Sequence, residues 1–177
     1  MFASLVFIVV ALFLACFVIT LLMHLWLGAP YVPTPMRIVE RMVELAELKP
    51  GQVVYDLGAG DGRLLIAAKR KEPKISAIGY ELVPTVWILG MLRIICSGCR
   101  VSLRMRDARC VDLRDADCVF LYLLPGVLAQ MLPVFQAQLR PGTRVISSVF
   151  ALSGKTPKQT EIVQWMGAER KVWVYQW

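Results

Sequence analysis

The first 36 residues contain no lysine, arginine, aspartate or glutamate. All 20 basic and all 13 acidic side chains of the 177-residue chain follow this segment. An uncharged segment of this length is not an ordinary soluble surface, since such surfaces carry many charged side chains. The chain therefore divides into an apolar N-terminal segment and a charged remainder that is long enough to bury one hydrophobic core.

Histidine is almost absent, and His24 is the single one in the sequence. A metal site built from several histidines is therefore excluded. Cys96 and Cys99 have the spacing of a thioredoxin-like pair, but they lie at the end of a predicted helix instead of opening one. No second cysteine pair completes a zinc site. We expect five free thiols and no bound metal.

The N-terminal segment is a long apolar run. One serine, one threonine and one histidine are the clearly polar side chains of residues 2–27. A helix of this length is about 39 Å long, which exceeds the ~30 Å hydrocarbon core of a bilayer. A secretory signal peptide is the alternative, but no basic residue precedes the run, and the run is longer than a signal peptide needs. We predict a retained transmembrane anchor over residues 1–29.

Basic residues lie only on the C-terminal side of this anchor. The positive-inside rule then places the following domain in the cytoplasm, or in the mitochondrial matrix if the organism is a eukaryote. Three prolines make residues 30–35 a short, stiff linker. We expect a single-pass protein of the bacterial or mitochondrial inner membrane, with the lipid bilayer as a partner.

Residues 36–177 alternate between helical and strand-like patterns and form one predicted domain. Helices are predicted over 36–48, 62–71, 84–98 and 125–142, and strands over 52–57, 75–82, 100–108, 117–124 and 143–150. The last 30 residues predict two more strands around Gly167. The expected fold class is α/β, with a mostly parallel sheet and an antiparallel C-terminal hairpin.

The sequence DLGAGDGR, residues 56–63, lies between the first predicted strand and the next helix. Open α/β sheets bind nucleotides at this position, and glycines there let a ligand approach the backbone N–H groups. The dinucleotide fingerprint requires a glycine where this chain has Arg63. The leading acid, Asp56, is poorly suited to a pyrophosphate and suits a ligand that carries an ammonium group.

Two further acids follow the next two strands. Glu81 ends the second strand, where a carboxylate can bind both ribose hydroxyls of a nucleoside. Asp107 follows the third strand, where it can accept a hydrogen bond from an adenine amine. An adenosine with an amino-acid tail would satisfy all three acids. The predicted cofactor-binding residues are Asp56, Gly58, Gly60, Asp61, Gly62, Glu81 and Asp107.

These motifs resemble the class I S-adenosylmethionine-dependent methyltransferases, which have a Rossmann-like sheet. YDLGAGDGR is similar to their cofactor loop, GYEL to their ribose-binding strand end and RDA to their adenine-side acid. The apolar span, followed by YVPTP, DLGAGDGR and GYELVP, resembles more narrowly the membrane-anchored protein-lysine methyltransferases. Mitochondrial members of that family modify the ATP synthase c subunit or the adenine nucleotide translocase. The resemblance implies S-adenosyl-L-methionine as cofactor and a lysine of a membrane protein as acceptor.

The chain departs from this family in two places. Val83 stands where the family's GYELNP has asparagine, and YLLPG after the fourth strand carries no catalytic signature. Candidate catalytic or wall residues come from the linker and from the end of the fourth strand: Tyr31, Thr34, Tyr122 and Pro125. Asp61 and Glu81 are the candidate general bases, unless the cofactor engages both.

Three functions are compatible with the sequence. The first is methylation of a lysine in a membrane protein, such as the ATP synthase c subunit. The second is methylation of a lipid-soluble small molecule, and the third is a non-catalytic, membrane-tethered interaction module. The net charge of +7 would suit RNA. However, no Asn- or Asp-Pro-Pro-aromatic motif follows the fourth strand, so we expect no nucleic-acid partner.

Overall fold

The N-terminal apolar run forms one helix. The computed structural model describes residues 2–27 and 31–177, without the side chains of residues 2, 3, 13, 16 and 23–27. Helix α1 spans Phe2–Leu27, and its segment Ser4–Leu22 is long and apolar enough to cross a membrane and is not buried against the rest of the protein. The side chain of His24 and the predicted boundary between anchor and linker lie outside the described residues. The domain limits therefore stay predictions.

The domain that follows is a mixed α/β unit. The helices are α2 (Met36–Ala46), α3 (Arg63–Lys71), α4 (Pro84–Ser97) and α5 (Pro125–Gln138). The strands are β1 (Val53–Leu57), β2 (Ser76–Glu81), β3 (Val101–Met105), β4 (Cys118–Leu121), β5 (Arg144–Ser148), β6 (Gln159–Trp165) and β7 (Ala168–Gln176). Within residues 31–177 these seven strands form one sheet in the order β3-β2-β1-β4-β5-β7-β6.

Strand directions agree with the prediction. Strands β1 to β5 are parallel, whereas β7 is antiparallel to both β5 and β6. Met166 and Gly167 join β6 to β7, and both have positive φ, as a tight type I′ hairpin turn requires. The mostly parallel sheet and its antiparallel C-terminal hairpin are therefore confirmed.

Two hydrophobic cores cover the two faces of the sheet. Side chains alternate along each strand, so Val54 packs with α2, α3 and α4, whereas Tyr55 and Leu57 pack with α5. Asp56 follows the same alternation and lies on the α3–α4 face of β1. The alternation along β1 therefore places the Asp56 side chain on the face of the sheet that α3 covers, near the loop that precedes this helix.

The third and fourth predicted strands extend beyond the observed ones. β3 ends at Met105, and Asp107 then caps a 3₁₀ turn, Ala108–Cys110, by accepting a hydrogen bond from the Arg109 N–H at 2.9 Å. β4 ends at Leu121. Because both strands end early, the residues that follow β3 and β4 form walls above the carboxyl edge of the sheet. The order of the strands reverses between β1 and β4, which is where open α/β sheets bind ligands.

Candidate active site

A cavity of about 520 Å³ lies at the carboxyl edge of the sheet. Six of the seven predicted cofactor residues line it: Asp56, Gly58, Gly60, Asp61, Glu81 and Asp107. Gly62 is not part of the lining and instead precedes α3 as its N-terminal cap. The catalytic candidates Tyr31, Thr34 and Tyr122 line the same cavity, whereas Pro125 does not. The structure thus brings together residues that are distant in the sequence.

The glycine loop between β1 and α3 is held close to its neighbours. Gly60 has φ +58°, and a Cβ atom there would lie 3.0 Å from the Tyr31 ring. A Cβ atom on Gly90 of α4 would lie only 2.8 Å from the Gly60 carbonyl oxygen. Gly90 was not predicted as a site residue, although a lone glycine within an apolar helix is a signal of close packing.

Glu81 ties this loop to the start of α4. Its carboxylate accepts one hydrogen bond from the Gly60 N–H at 2.9 Å and another from the Val83 N–H at 2.8 Å. These two bonds go to different oxygens, so each oxygen retains a lone pair. Val83 contributes its main-chain N–H, which does not depend on the side chain that differs from the resembled family.

Asp56 is a buried acid, 4% exposed. No hydrogen-bond donor among the described residues reaches its carboxyl group. Burial, together with the negative charges of Glu81 and Asp61, raises the pKa of Asp56 to about 8. A buried, unpaired acid that lines a cavity is suited to a cationic ligand, since the cation would compensate the cost of ionisation.

Asp61 is also buried but is fully paired. Arg63 of α3 donates to it from Nε at 2.8 Å and from Nη2 at 2.7 Å, and Arg93 of α4 forms an ion pair at 2.7 Å. Burial acts to raise the pKa of Asp61, but the two arginines outweigh it and lower the pKa below its usual range. A carboxylate with a lowered pKa binds a proton weakly, which makes Asp61 a poor general base in this arrangement.

Asp107 is paired with a residue that was not predicted from the sequence. Arg109 donates to it from Nε at 3.0 Å and from Nη2 at 2.6 Å, and these bonds lower the pKa of Asp107. Arg109 also donates to the Gln130 side chain of α5 at 2.8 Å. All three residues line the cavity, so a hydrogen-bonded group instead of a free acid closes it beyond the end of β3.

The linker forms part of the cavity wall. Arg63 Nη1 donates to the Thr34 carbonyl oxygen at 2.9 Å, which holds the linker against the glycine loop. Burial and the charge of Asp61 raise the pKa of the Tyr31 phenol, so it stays protonated at neutral pH. The short proline-rich segment therefore does more than connect α1 to the domain, because its residues 31–34 all line the cavity.

The ends of β4 and β5 form a different kind of wall. Tyr122, Leu123, Ser148 and Phe150 line it, and the described residues there carry no charged side chain. Ser148 is fully buried, and among the described residues its hydroxyl has no hydrogen-bond partner. Val149 has φ +71°, which is rare for a β-branched residue. No motif in the sequence marks Ser148 or Val149, so neither was predicted.

Comparison with known proteins identifies the family. The model of the ANTKMT methyltransferase domain matches residues 56–159. The chain is 34% identical over 148 residues to a protein-lysine N-methyltransferase of Saccharolobus islandicus (strain REY15A), which covers 82% of this chain and 92% of the relative. It is 38% identical over 153 residues to the adenine nucleotide translocase lysine N-methyltransferase of Mus musculus, which covers 84% of this chain and 63% of the relative.

A solved structure shows the same architecture. The RNA methyltransferase from Salinibacter ruber, in complex with S-adenosyl-L-homocysteine, matches with a TM-score of 0.74 and 35% identity over 82% of this chain and 93% of that one. The predicted resemblance and the predicted cofactor, S-adenosyl-L-methionine, are confirmed. The chain belongs to the family of the ANTKMT methyltransferase domain and is an S-adenosylmethionine-dependent methyltransferase.

Proposed function

We propose that this protein methylates the side-chain amine of a lysine in a membrane protein and that α1 anchors it beside that substrate. The observation that carries the proposal is the division of the cavity into a charged half and an uncharged half. Charged side chains line the ends of β1 to β3, whereas the ends of β4 and β5 present apolar groups and hydroxyls. The names of the Saccharolobus and mouse relatives support lysine as the acceptor.

The charged half fits the cofactor. Glu81 retains a lone pair on each oxygen for the ribose hydroxyls, and Asp107 with Arg109 forms the adenine side. Asp56 lies at the end of β1, directly before the glycine loop, where it would ionise against the ammonium group of the methionine part. When bound, the cofactor supplies an electrophilic methyl group on a sulfonium.

The uncharged half fits the acceptor. A lysine has a reference pKa of about 10.4 and must lose its proton before its nitrogen can attack. Walls without charge disfavour the ammonium form and so assist that loss. The neutral nitrogen would then accept the methyl group that the bound cofactor supplies, and the extra proton on the nitrogen would leave to water. The residues of the cavity contribute by positioning the reactants and excluding water.

Ser148 is our candidate for positioning the amine, because its buried hydroxyl lacks a partner in the described residues. We expect Ser148→Ala to raise the thermal stability of the protein, since it removes an unsatisfied group that costs about 1 kcal/mol or more. We expect kcat to fall about tenfold with an unchanged affinity for the cofactor. Differential scanning fluorimetry, calorimetry and turnover assays measure the three quantities.

Ser147→Ala is the matched control for that variant. The Ser147 hydroxyl donates to the Phe150 carbonyl oxygen at 2.6 Å, so its loss should lower the stability. An unchanged kcat in Ser148→Ala would exclude a role of this hydroxyl in catalysis.

The raised pKa of Asp56 predicts an unusual pH dependence. The folded protein without cofactor keeps this proton up to about pH 8, whereas the unfolded chain loses it near pH 4. The stability of the cofactor-free protein should therefore fall as the pH rises from about 4 to 8. Asp56→Asn should remove this decrease, so that the variant is more stable than wild type at pH 8 but binds the cofactor less tightly.

Melting temperatures between pH 5 and 8.5, with and without S-adenosylhomocysteine, test this prediction. The exposed acid Asp112, whose pKa is lowered to about 2 by its hydrogen bonds with Arg114, provides the control variant Asp112→Asn. Equal pH slopes in wild type and Asp56→Asn would contradict it.

The acceptor is tested with membranes from a strain that lacks the gene. Incubation with the full-length protein and S-adenosylmethionine should add one to three methyl groups to a small membrane protein, as measured by intact mass. Candidate substrates are an adenine nucleotide carrier and the ATP synthase c subunit. Gly60→Arg, which places a bulky side chain against Tyr31, should add none.

The same reaction separates the alternatives. Methyl groups that appear only in the lipid extract would transfer the proposal to a lipid-soluble small molecule. Methyl groups that appear only in RNA would contradict it in favour of the activity that the name of the Salinibacter structure states.

A further inference from the structure

One face of α4 is apolar and exposed. Four large aliphatic side chains on it have exposed fractions of 47%, 47%, 57% and 69%: Ile88, Leu89, Leu92 and Ile95. At 100° per residue they lie within about 120° of arc on the helix. Four such side chains together form the kind of patch that marks an interaction site.

The opposite face of α4 is packed. Val86, Gly90 and Ile94 are buried, and Gly90 lies against the glycine loop. Arg93 is the one charged residue of α4, and its guanidinium is engaged by Asp61 at 2.7 Å. The positions of these four exposed aliphatic side chains, which we call the α4 apolar face, carry no charge, and the half-exposed Arg93 that borders them is held by its ion pair with Asp61.

Helix α1 meets α4 at this face. The Thr20 and Thr85 hydroxyls are 2.8 Å apart, and one donates to the other. Thr85 lies on the same side of α4 as Leu89 and Leu92, by the 3.6-residue period. Thr20 lies within the apolar segment Ser4–Leu22. A helix of membrane-spanning length thus contacts the α4 apolar face.

We infer that the α4 apolar face lies in the bilayer, at the boundary between lipid headgroups and acyl chains. This inference depends on the proposed anchoring by α1. An apolar helix of 14 residues is too short to span a bilayer but suits an interfacial position. Because Thr20 belongs to the apolar segment of α1, the helix that it contacts must reach the depth of the lipid.

The placement has a consequence for the substrate. The glycine loop packs on the inner side of α4, so the cofactor site would lie about one helix diameter, roughly 10 Å, from the lipid. A lysine that projects from a membrane protein at the bilayer surface could reach the cavity, whereas a lysine far from the bilayer could not.

Depth-dependent fluorescence quenching tests the inference on the full-length protein. Cys96 is exposed on α4, close to the apolar face, and Cys110 is exposed on the 3₁₀ turn. Variants that retain one of these cysteines are labelled with an environment-sensitive fluorophore and reconstituted into phosphatidylcholine–phosphatidylglycerol nanodiscs. We expect lipids with brominated acyl chains to quench the Cys96 label at least twofold more than the Cys110 label.

A third label on Leu14→Cys reports on α1 independently. Quenching at Leu14→Cys with equal, weak quenching at Cys96 and Cys110 would overturn the inference and leave the anchor intact. Absence of quenching at Leu14→Cys as well would overturn both. In nanodiscs that hold two copies of the chain, the Cys96 label could be shielded from water without being quenched by the lipids. That result would assign the α4 apolar face to a contact with a second copy and would also overturn the inference.

Matched charge variants complete the test. Ile95→Glu should reduce quenching at Cys96 and slow methylation of the membrane substrate severalfold, while the cofactor affinity stays unchanged. Ile162→Glu, at a 53% exposed position on the distant strand β6, should change neither. Equal effects of the two variants would contradict a specific role of the α4 apolar face.

Discussion

Glu81→Ala should weaken the binding of S-adenosylmethionine roughly 100-fold. The variant would lose the two charge-assisted hydrogen bonds that the carboxylate makes to the ribose, together worth about 3 kcal/mol. The variant would also leave the Gly60 and Val83 N–H groups without their acceptor, and this would loosen the glycine loop that Glu81 joins to α4. Isothermal titration calorimetry with S-adenosylhomocysteine measures the change directly.

Two further variants separate cofactor binding from general damage. Glu81→Gln keeps one carbonyl oxygen as acceptor and should have an intermediate affinity. Glu161→Ala removes a carboxylate on β6 that pairs with Arg41 at 3.1 Å, far from the cavity, and should bind the cofactor as wild type does. If Glu81→Ala bound as tightly as Glu161→Ala, the ribose assignment of Glu81 would be wrong.

Gly90→Ala should reduce kcat/KM for the methylation reaction about 100-fold. The added Cβ would lie 2.6 Å from Leu103 Cδ2 and 2.8 Å from the Gly60 carbonyl oxygen. Leu103 can change its rotamer, but the carbonyl can move only if the glycine loop moves. Such overpacking costs about 1–3 kcal/mol, and a displacement of about 1 Å in a cofactor site can cost 100-fold in rate.

The expected loss of stability in Gly90→Ala is opposite to the usual effect of replacing glycine by alanine in a helix. Alanine is favoured over glycine in a helix by about 1 kcal/mol, so the same substitution at an open position should be neutral or stabilising. Gly126 in α5 is such a position, because no atom lies near its added Cβ. Melting temperatures should therefore fall in Gly90→Ala and stay level or rise in Gly126→Ala. Equal activity in the two variants would show that the loop accommodates the extra atom.

The charged half of the cavity was predictable because its acids lie at or just beyond the ends of strands. Asp56 and Glu81 lie at the ends of the segments that form β1 and β2, and parallel strands end at the same edge of a sheet. Three glycines with alternate spacing predicted the loop, and all three have positive φ in the structure. Strand periodicity and turn chemistry are local properties, so the sequence carries them directly.

The arginines that pair with Asp61 and Asp107 were not predictable in the same way. Asp61 was a candidate for cofactor binding or proton transfer, but Arg93 reaches it from another helix, 32 residues further along the chain. Arg109 is near Asp107 in sequence, yet the pairing depends on the turn that Asp107 caps. The resulting pKa changes follow from packing and not from composition.

The sequence by itself determined the length and apolar character of α1, the order of helices and strands, and the acids at the carboxyl edge of the sheet. Only the tertiary structure decided that Arg63 holds the linker against the glycine loop, that Ser148 is buried without a partner among the described residues, and that Thr20 meets Thr85. Each of these depends on contacts between segments that are distant in the chain. Such contacts are set by the packing of the whole domain, because no local pattern specifies which distant side chain will lie opposite.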